Sequence, residues 1–274
     1  MSEQIGQLRD HWATVDGRAI YAHASEGAPT PGRLPIVMAH GLLVSSRYMV
    51  PAARRLAAHY PVYALDLPGY GKSVRPTRIQ GVAELSGVLD RWMAAVGLGR
   101  AILIANSFGC QVATDFALRY PARVERLVLV GPTVDPRHRT ALGATARLLL
   151  DGAREPLTYA PIIMRDVWDI GPRRALGMAR VCLADRIETR LPRIEVPTLV
   201  VRGARDPLAP QRWGEEAARL LPRGRLLVIP GAAHVAHYDA VDRFVPAVQP
   251  FLDEASPQPS PSLPAQQLLG YQFL

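Results

Sequence analysis

The chain has 274 residues, 49% of them hydrophobic and 20% charged, which is enough for one sizeable core and a subdomain. Its formal charge of +8 comes almost wholly from arginine, Lys72 being the only lysine, and the densest basic clusters are the pairs Arg54-Arg55 and Arg173-Arg174, so a nucleic-acid partner is not expected. No apolar run approaches the roughly 20 residues that cross a bilayer, and MSEQIGQLRDHW lacks the apolar core of a signal peptide, so a cytoplasmic protein without a membrane partner is expected.

In chain order, WATV and RAIYAHA flank Asp16-Gly17 and predict a hairpin. LPIVMAH is a short apolar run of the kind buried on both faces of a sheet. Residues 48–59 follow as a helix, with Pro51 tolerable only in its first turn. PVYALDL is the next strand, and VAELSGVLDRWMAAVGL is an amphipathic helix ending at Gly97 or Gly99. AILIA, SFGCQVATDFALRY and RLVLVG continue as strand, helix and strand. The rhythm breaks at Gly131-Pro132, and up to Glu195 the pattern is helical with Pro and Gly interruptions. It resumes with PTLVVRG, QRWGEEAARLLP, RLLVIPG and a single helix over 238–254. This alternation predicts an α/β fold with a mostly parallel central sheet covered by helices on both faces. The expected organisation is a core over 1–131 and 196–254, a helical insertion over 132–195, and a Pro/Ser-rich tail over 255–274. Cys110 and Cys182 lack CxxC spacing and sit among small and apolar residues, so both are expected to be buried structural thiols.

Open parallel sheets bind ligands beyond the C-terminal ends of their strands. The residues just after each predicted strand are therefore informative. They are His40-Gly41-Leu42, Asp66, Ser107, Asp135, Asp206 and His234. A serine, two candidate aspartates (Asp135 and Asp206) and a histidine converge on one rim in the order Ser, Asp, His.

That order, with HGLL, DLPGYGKS, ANSFG, RDP at Asp206 and GAAH at His234, resembles the α/β-hydrolase fold family over roughly residues 12–254. The family's elbow is G-x-S-x-G, and here Ala105 replaces the first glycine. Positions 105 and 109 are expected to pack against each other across the elbow, so both must be small. The resemblance implies that the helical insertion caps the site. It also implies Ser107 as nucleophile, His234 as base and Asp206 as the carboxylate orienting the imidazole. Backbone N–H groups of Leu42 and Phe108 are the implied oxyanion donors. Asp135 is the alternative acid, His237 competes as base from a structural or rim position, and His40 is expected to support the oxyanion loop. Ser107 read alone is only a helix cap.

Three look-alikes fail on spacing. Gly71-Lys72-Ser73 imitates a P-loop, but Asp66 stands where the first glycine belongs, and Gly69/Gly71 lack the third glycine of a dinucleotide motif. His234 and His237 form HxxH without the metalloprotease glutamate, so no metal and no cofactor are expected. A serine nucleophile implies attack on an acyl carbon. The expected reaction is hydrolysis of a small or medium, mainly apolar ester, thioester or lactone. Asn106-Ser107 with HG and a helical cap is also similar to meta-cleavage product C–C hydrolases, although Leu42-Leu43-Val44 and Val235 depart from that subgroup. A non-catalytic ligand-binding member is the third reading. Cap arginines Arg165, Arg173, Arg174 and Arg180 are candidates to contact a substrate carboxylate, and homodimerisation is left open.

Overall fold

A computed structural model describes residues 5–27 and 32–254, and the tail expected over 255–274 lies outside them. Strands β1 (Leu8–Val15) and β2 (Arg18–Ser25) pair antiparallel around Asp16-Gly17, where φ is positive at both turn residues, 50° and 72°. That conformation matches the twist of the flanking strands, which is why Asp-Gly forms the hairpin. Strands β3 (Ile36–Ala39), β4 (Val62–Leu65), β5 (Ala101–Asn106), β6 (Val124–Val130), β7 (Thr198–Gly203) and β8 (Gly224–Ile229) complete an eight-stranded sheet in the order β1-β2-β4-β3-β5-β6-β7-β8. Pairing from β4 to β8 is parallel throughout.

Every residue of β3, β5, β6 and β7 is buried, because helices cover both faces, so these strands read as unbroken apolar runs. Alternate side chains of β5 and β6 serve opposite faces. Leu103, Leu127 and Leu129 pack with helices α2 (Val82–Ala95) and α3 (Phe108–Arg119), while Ile102, Ile104, Val128 and Val130 face the side of α1 (Val50–Leu56). Each such side chain removed from water contributes roughly 1.5–3 kcal/mol.

Between β6 and β7 the elements are all helical: α4 (Ala141–Gly152), α5 (Ala160–Ile170), α6 (Pro172–Ala184) and the short α7 (Ile187–Arg190), with intervening 3-10 turns. The chain then returns through β7, α8 (Gln211–Leu220), β8, α9 (Ala236–Asp239) and α10 (Val241–Leu252). Two predicted helices differ from expectation. The one over 48–59 opens as a 3-10 turn, Ser46–Met49, and becomes α-helical only at Val50, which places Pro51 in the first turn where no donor is lost. The one over 238–254 is interrupted at Ala240 (φ −127°, ψ 35°), which separates the turn beside His234 from the body of α10.

The apparent P-loop has a local structural job. Asp66 accepts from the backbone of Ser46 (2.7 Å) and Lys72 (2.8 Å), and Ser73 Oγ donates to Asp66 O (2.6 Å) while accepting from Tyr21 N (2.8 Å). These bonds tie three loops together on the sheet.

The end of β7 passes so close to the loop after β8 that a Cβ on Gly203 would lie 2.0 Å from Ala233 O and 2.4 Å from Ala232 O. Gly203→Ala is therefore expected to lower stability by about 1–3 kcal/mol in denaturant unfolding, because backbone rather than a flexible side chain must give way. A wild-type unfolding midpoint for that variant would contradict the packing.

Candidate active site

The loops after β3, β5, β6, β7 and β8 open on one cavity of about 620 Å³, roofed by residues of α4, α5 and α6. Ser107, Leu42, Asp135 and His234 all line it. At Ser107 the chain turns from β5 into α3 with φ 56° and ψ −121°, a conformation that side-chain-bearing residues rarely adopt. Such strain costs on the order of 1–3 kcal/mol and persists only where surrounding bonds impose it. Here Ser107 N donates to Val130 O (2.9 Å), extending the sheet ladder, and Cys110 N donates to Ser107 O (2.9 Å), starting the helix. The serine side chain makes no capping hydrogen bond to α3, so the simple helix-cap reading fails. Its Oγ lies 3.5 Å from Thr133 Oγ1.

Gly109 is required for a reason other than the expected one. A Cβ there would meet Ala39 O at 2.5 Å and His40 O at 2.6 Å, so the closest approach is to the end of β3. Ala105 sits in the ladder opposite Ala39. A methyl group is accommodated at 105 because that position is a regular strand residue.

Asp206 and His234 are brought into direct contact, His234 Nδ1 lying 2.8 Å from Asp206 Oδ2, and both are almost closed to solvent. The second carboxylate oxygen accepts from Leu208 N (2.8 Å) and Ala209 N (2.9 Å). Burial alone would raise Asp206, but His234 and these two amides outweigh it and hold the carboxyl below the usual carboxylate range. Burial likewise pushes His234 down, and Asp206, with further help from Asp151 and Glu155, reverses this and carries the imidazole up to about 9. His234 Nε2 is buried with no hydrogen-bond partner among the described residues. Ser107 and His234 thus share the cavity without a hydrogen bond between them; such contacts commonly tighten when substrate is present.

Asp135 also borders the cavity, but its carboxylate is spent on Arg212 Nη2 (2.6 Å) and on capping Arg137 N (3.1 Å). His237 is a core residue, not a rim one. It has no exposed surface, its ring stands edge-on to Tyr48 at 4.7 Å, and burial together with the charge of His234 pushes it down to about 3. His40 is fully buried, with Nδ1 2.8 Å from Gly41 O and Nε2 accepting from Leu67 N (3.0 Å). Burial keeps it neutral, which suits a brace for the loop after β3.

That loop carries the candidate oxyanion donors. Gly41 N is taken by Tyr48 Oη (2.7 Å), whereas no hydrogen-bond partner for Leu42 N is found among the described residues. Phe108 opens α3, where first-turn N–H groups have no intrahelical acceptor. Asn106 is a brace: its amide nitrogen donates to Val130 O (3.0 Å) and His234 O (3.3 Å), and its oxygen accepts from Tyr48 Oη (2.6 Å). Among the arginines of the helical insertion, Arg174 is bound to Pro76 O and Arg165 lies near Asp169, while Arg180 borders the cavity. Both cysteines are free and buried, as expected, and Cys182 lines the cavity with its thiol pushed up to about 12, first by burial.

Sequence reasoning missed Asp151 and Glu155. Asp151 lies in the last turn of α4 and Glu155 in the turn that follows it, and both line the cavity beside His234. Glu155 Oε1 accepts from Val235 N (3.0 Å), and Asp151 faces the backbone amide of His234. Burial raises Asp151 to about 6 and Glu155 to about 8, the latter raised further by its neighbour's charge. Asp151 at the end of an otherwise apolar helix was the available signal, but an acid at a helix end is ordinarily solvated. Thr133, Tyr48 and Arg212 carried no signal at all.

Comparison with known proteins places this geometry in context. Residues 36–247 match the "Alpha/beta hydrolase family". The abhydrolase domain-containing protein abhd-5.2 of Caenorhabditis elegans is 36% identical over 112 residues, 39% of this chain and a quarter of that protein's length. RutD of Caulobacter vibrioides, a proposed carbamate hydrolase, is 27% identical over 88% of this chain and 97% of its own. Among solved structures, a membrane phospholipase A described as a bacterial virulence factor superposes with a TM-score of 0.77 at 25% identity, covering 90% of this chain and 86% of that one. Among the described residues, no helix is long and apolar enough to cross a membrane.

Titration of the histidine ring protons by NMR should show His234 keeping its proton until about pH 9, because its charged form is the one Asp206 stabilises. Asp206→Asn and, to a lesser degree, Asp151→Asn should both move that midpoint to lower pH. A wild-type midpoint at the ordinary histidine value would contradict the electrostatic arrangement.

Proposed function

The chain belongs to the alpha/beta hydrolase family, and from that premise we propose a serine hydrolase cleaving small or medium, mainly apolar esters, thioesters or lactones through an acyl-enzyme on Ser107. The observation that carries this reading is the placement of the Ser107 side chain. It caps nothing, and it lines the same cavity as an imidazole whose far nitrogen is held by a buried carboxylate.

In this mechanism the neutral form of His234, populated as pH rises toward about 9, takes the Ser107 hydroxyl proton through Nε2 as Oγ attacks the acyl carbon. The tetrahedral oxyanion is held by the N–H groups of Leu42 and Phe108; one such donor is typically worth about 3 kcal/mol in the transition state. The imidazolium then protonates the departing alkoxide or thiolate as the acyl–oxygen or acyl–sulfur bond breaks, giving the alcohol or thiol. Water attacks the acyl-enzyme, His234 accepts its proton, and collapse releases the acid and returns the proton to Ser107. Asp206 stays ionised throughout and supports the imidazolium. No cofactor enters the scheme. Residues 132–195 act as a cap over a core formed by 1–131 and 196–254.

An acyl substrate is supported by the apolar wall of Leu42, Leu43, Val44, Leu148, Ile163 and Leu176. RutD extends the candidates to carbamates, whose electrophile is also an acyl carbon. The C–C hydrolase alternative gains no support from Asn106, because both ends of its amide are engaged in bracing.

The test is turnover of p-nitrophenyl butyrate beside a panel of lactones and carbamates. Ser107→Ala is expected to lower kcat at least about 10³-fold. Asp206→Asn should cost on the order of 10⁴-fold by leaving the imidazole in the wrong tautomer. Asp135→Asn should retain most activity. Equal turnover by wild type and Ser107→Ala would sink the reading, and a dead Asp135 variant beside a healthy Asp206 variant would reassign the acid.

A further inference from the structure

The helical insertion presents an unusual outer surface. Of the eleven large apolar side chains exposed among the described residues, nine lie between Leu142 and Leu176. An amphipathic helix normally turns charge outward and buries its apolar stripe. Here Leu142, Leu157 and Trp168 are 83%, 90% and 86% exposed, and α4 offers three consecutive leucines, Leu148 to Leu150, to solvent. Clusters of this size on a soluble surface mark an interaction site.

The exposed charges of the insertion are predominantly positive. Within residues 136–190 the exposed charged side chains are Arg137, Arg165, Arg173, Arg180 and Arg186. The acids of that range are buried or half-buried, and Asp169, 32% exposed, is shared by Arg47 (3.6 Å) and Arg165 (4.0 Å). Asp166 is paired with Arg47, Asp185 with Arg190 (2.6 Å) and Glu188 with Arg139 (2.5 Å), while Asp151 and Glu155 face inward toward His234. The apolar surface is also continuous with the cavity, since Leu148, Leu157 and Leu176 are both exposed and part of its lining.

We propose that this face docks on an anionic phospholipid surface, with α4 and α5 lying at the boundary between headgroups and acyl chains and the arginines against lipid phosphates. Apolar side chains ringed by cations, with a tryptophan among them, suit that boundary and no other common surface as well. A second copy of the chain fits poorly: an isologous contact through this surface would set arginines opposite arginines, with only the half-buried Asp169, already shared by Arg47 and Arg165, to answer them. The docking is adsorption and needs no spanning helix. The expectation of no membrane partner came from the lack of an apolar run long enough to cross a bilayer, which adsorption does not require.

The experiment is co-sedimentation of the full chain with vesicles of phosphatidylcholine alone and of phosphatidylcholine with an equal part of phosphatidylglycerol. Binding is expected to the anionic vesicles only, weakening as salt is raised, with a blue shift of tryptophan emission that Trp168→Phe abolishes. Leu149→Ser/Met164→Ser/Trp168→Ser should weaken binding about tenfold or more. Arg165→Glu/Arg173→Glu should weaken it by roughly fivefold or more per charge removed. Both multiple variants are expected to melt like wild type and to turn over a soluble short ester normally, and Ser107→Ala should bind vesicles fully, so docking and catalysis are tested separately. Equal partition onto both vesicle types, no partition onto either, or dimerisation in analytical ultracentrifugation that the apolar variant abolishes would each overturn the proposal.

Discussion

An ionised carboxylate and an imidazole, 2.8 Å apart and nearly out of reach of water, join the ends of two neighbouring strands. Removing one partner from a pair this buried leaves an uncompensated charge, typically at a cost of about 3–5 kcal/mol. Much of the surrounding backbone is shaped to admit the pair. Gly131 carries no Cβ where one would lie 2.8 Å from the His234 ring and 3.0 Å from Asp206. Gly203 lets the loop of His234 settle directly on the end of β7. Arg202 Nε holds Ala209 O at 2.8 Å, fixing the turn whose amides engage Asp206.

The insertion is fastened to the core by charge rather than by a shared apolar interior alone. Asp166 reaches down from α5 to accept from both the amide (2.7 Å) and the hydroxyl (2.8 Å) of Ser45 and pairs with Arg47. Arg147 is bound to Pro207 O, and Arg154 to Arg205 O (2.7 Å). The last two contacts land on the β7 loop that carries Asp206, and Glu155 lands on the loop that carries His234. Any displacement of α4 would thus be felt at the ion pair, through both loop position and the loss of two nearby carboxyls.

The same four helices must therefore satisfy two opposite demands. Their inner side supplies acids to an electrostatically tuned cavity and consumes the acidic residues in doing so. Their outer side keeps the surplus arginines and leaves leucines uncovered. Five arginines are left exposed on the insertion, and one of them, Arg180, borders the cavity.

The strand and helix order, the break at Gly131 and the residues at each strand end were all legible along the chain, because burial on two faces or one imposes period and composition locally. Ser107, Asp206 and His234 were legible for the same reason: each follows a strand at the rim where such sheets bind ligands. Helix ends at Ser46–Met49 and Ala240 were less so, since capping and loop contacts decide them. Ala105 and Gly109 showed that small residues were needed, but only the approach of Gly109 to the carbonyls of Ala39 and His40 shows why. What the chain could not decide by itself was pairing. Asp135 and Asp206 are alike as residues after strands, and the choice falls to Arg212, which occupies one, and His234, which meets the other. Likewise His234 and His237 differ by three positions, yet one faces a cavity and the other an aromatic wall. Sequence by itself determined the architecture and the candidate nucleophile, because both follow from local periodicity. Only the tertiary structure decided which charges meet, which are buried and which gather on a surface, because electrostatic interaction depends on distance and dielectric, and neither is written in the order of residues.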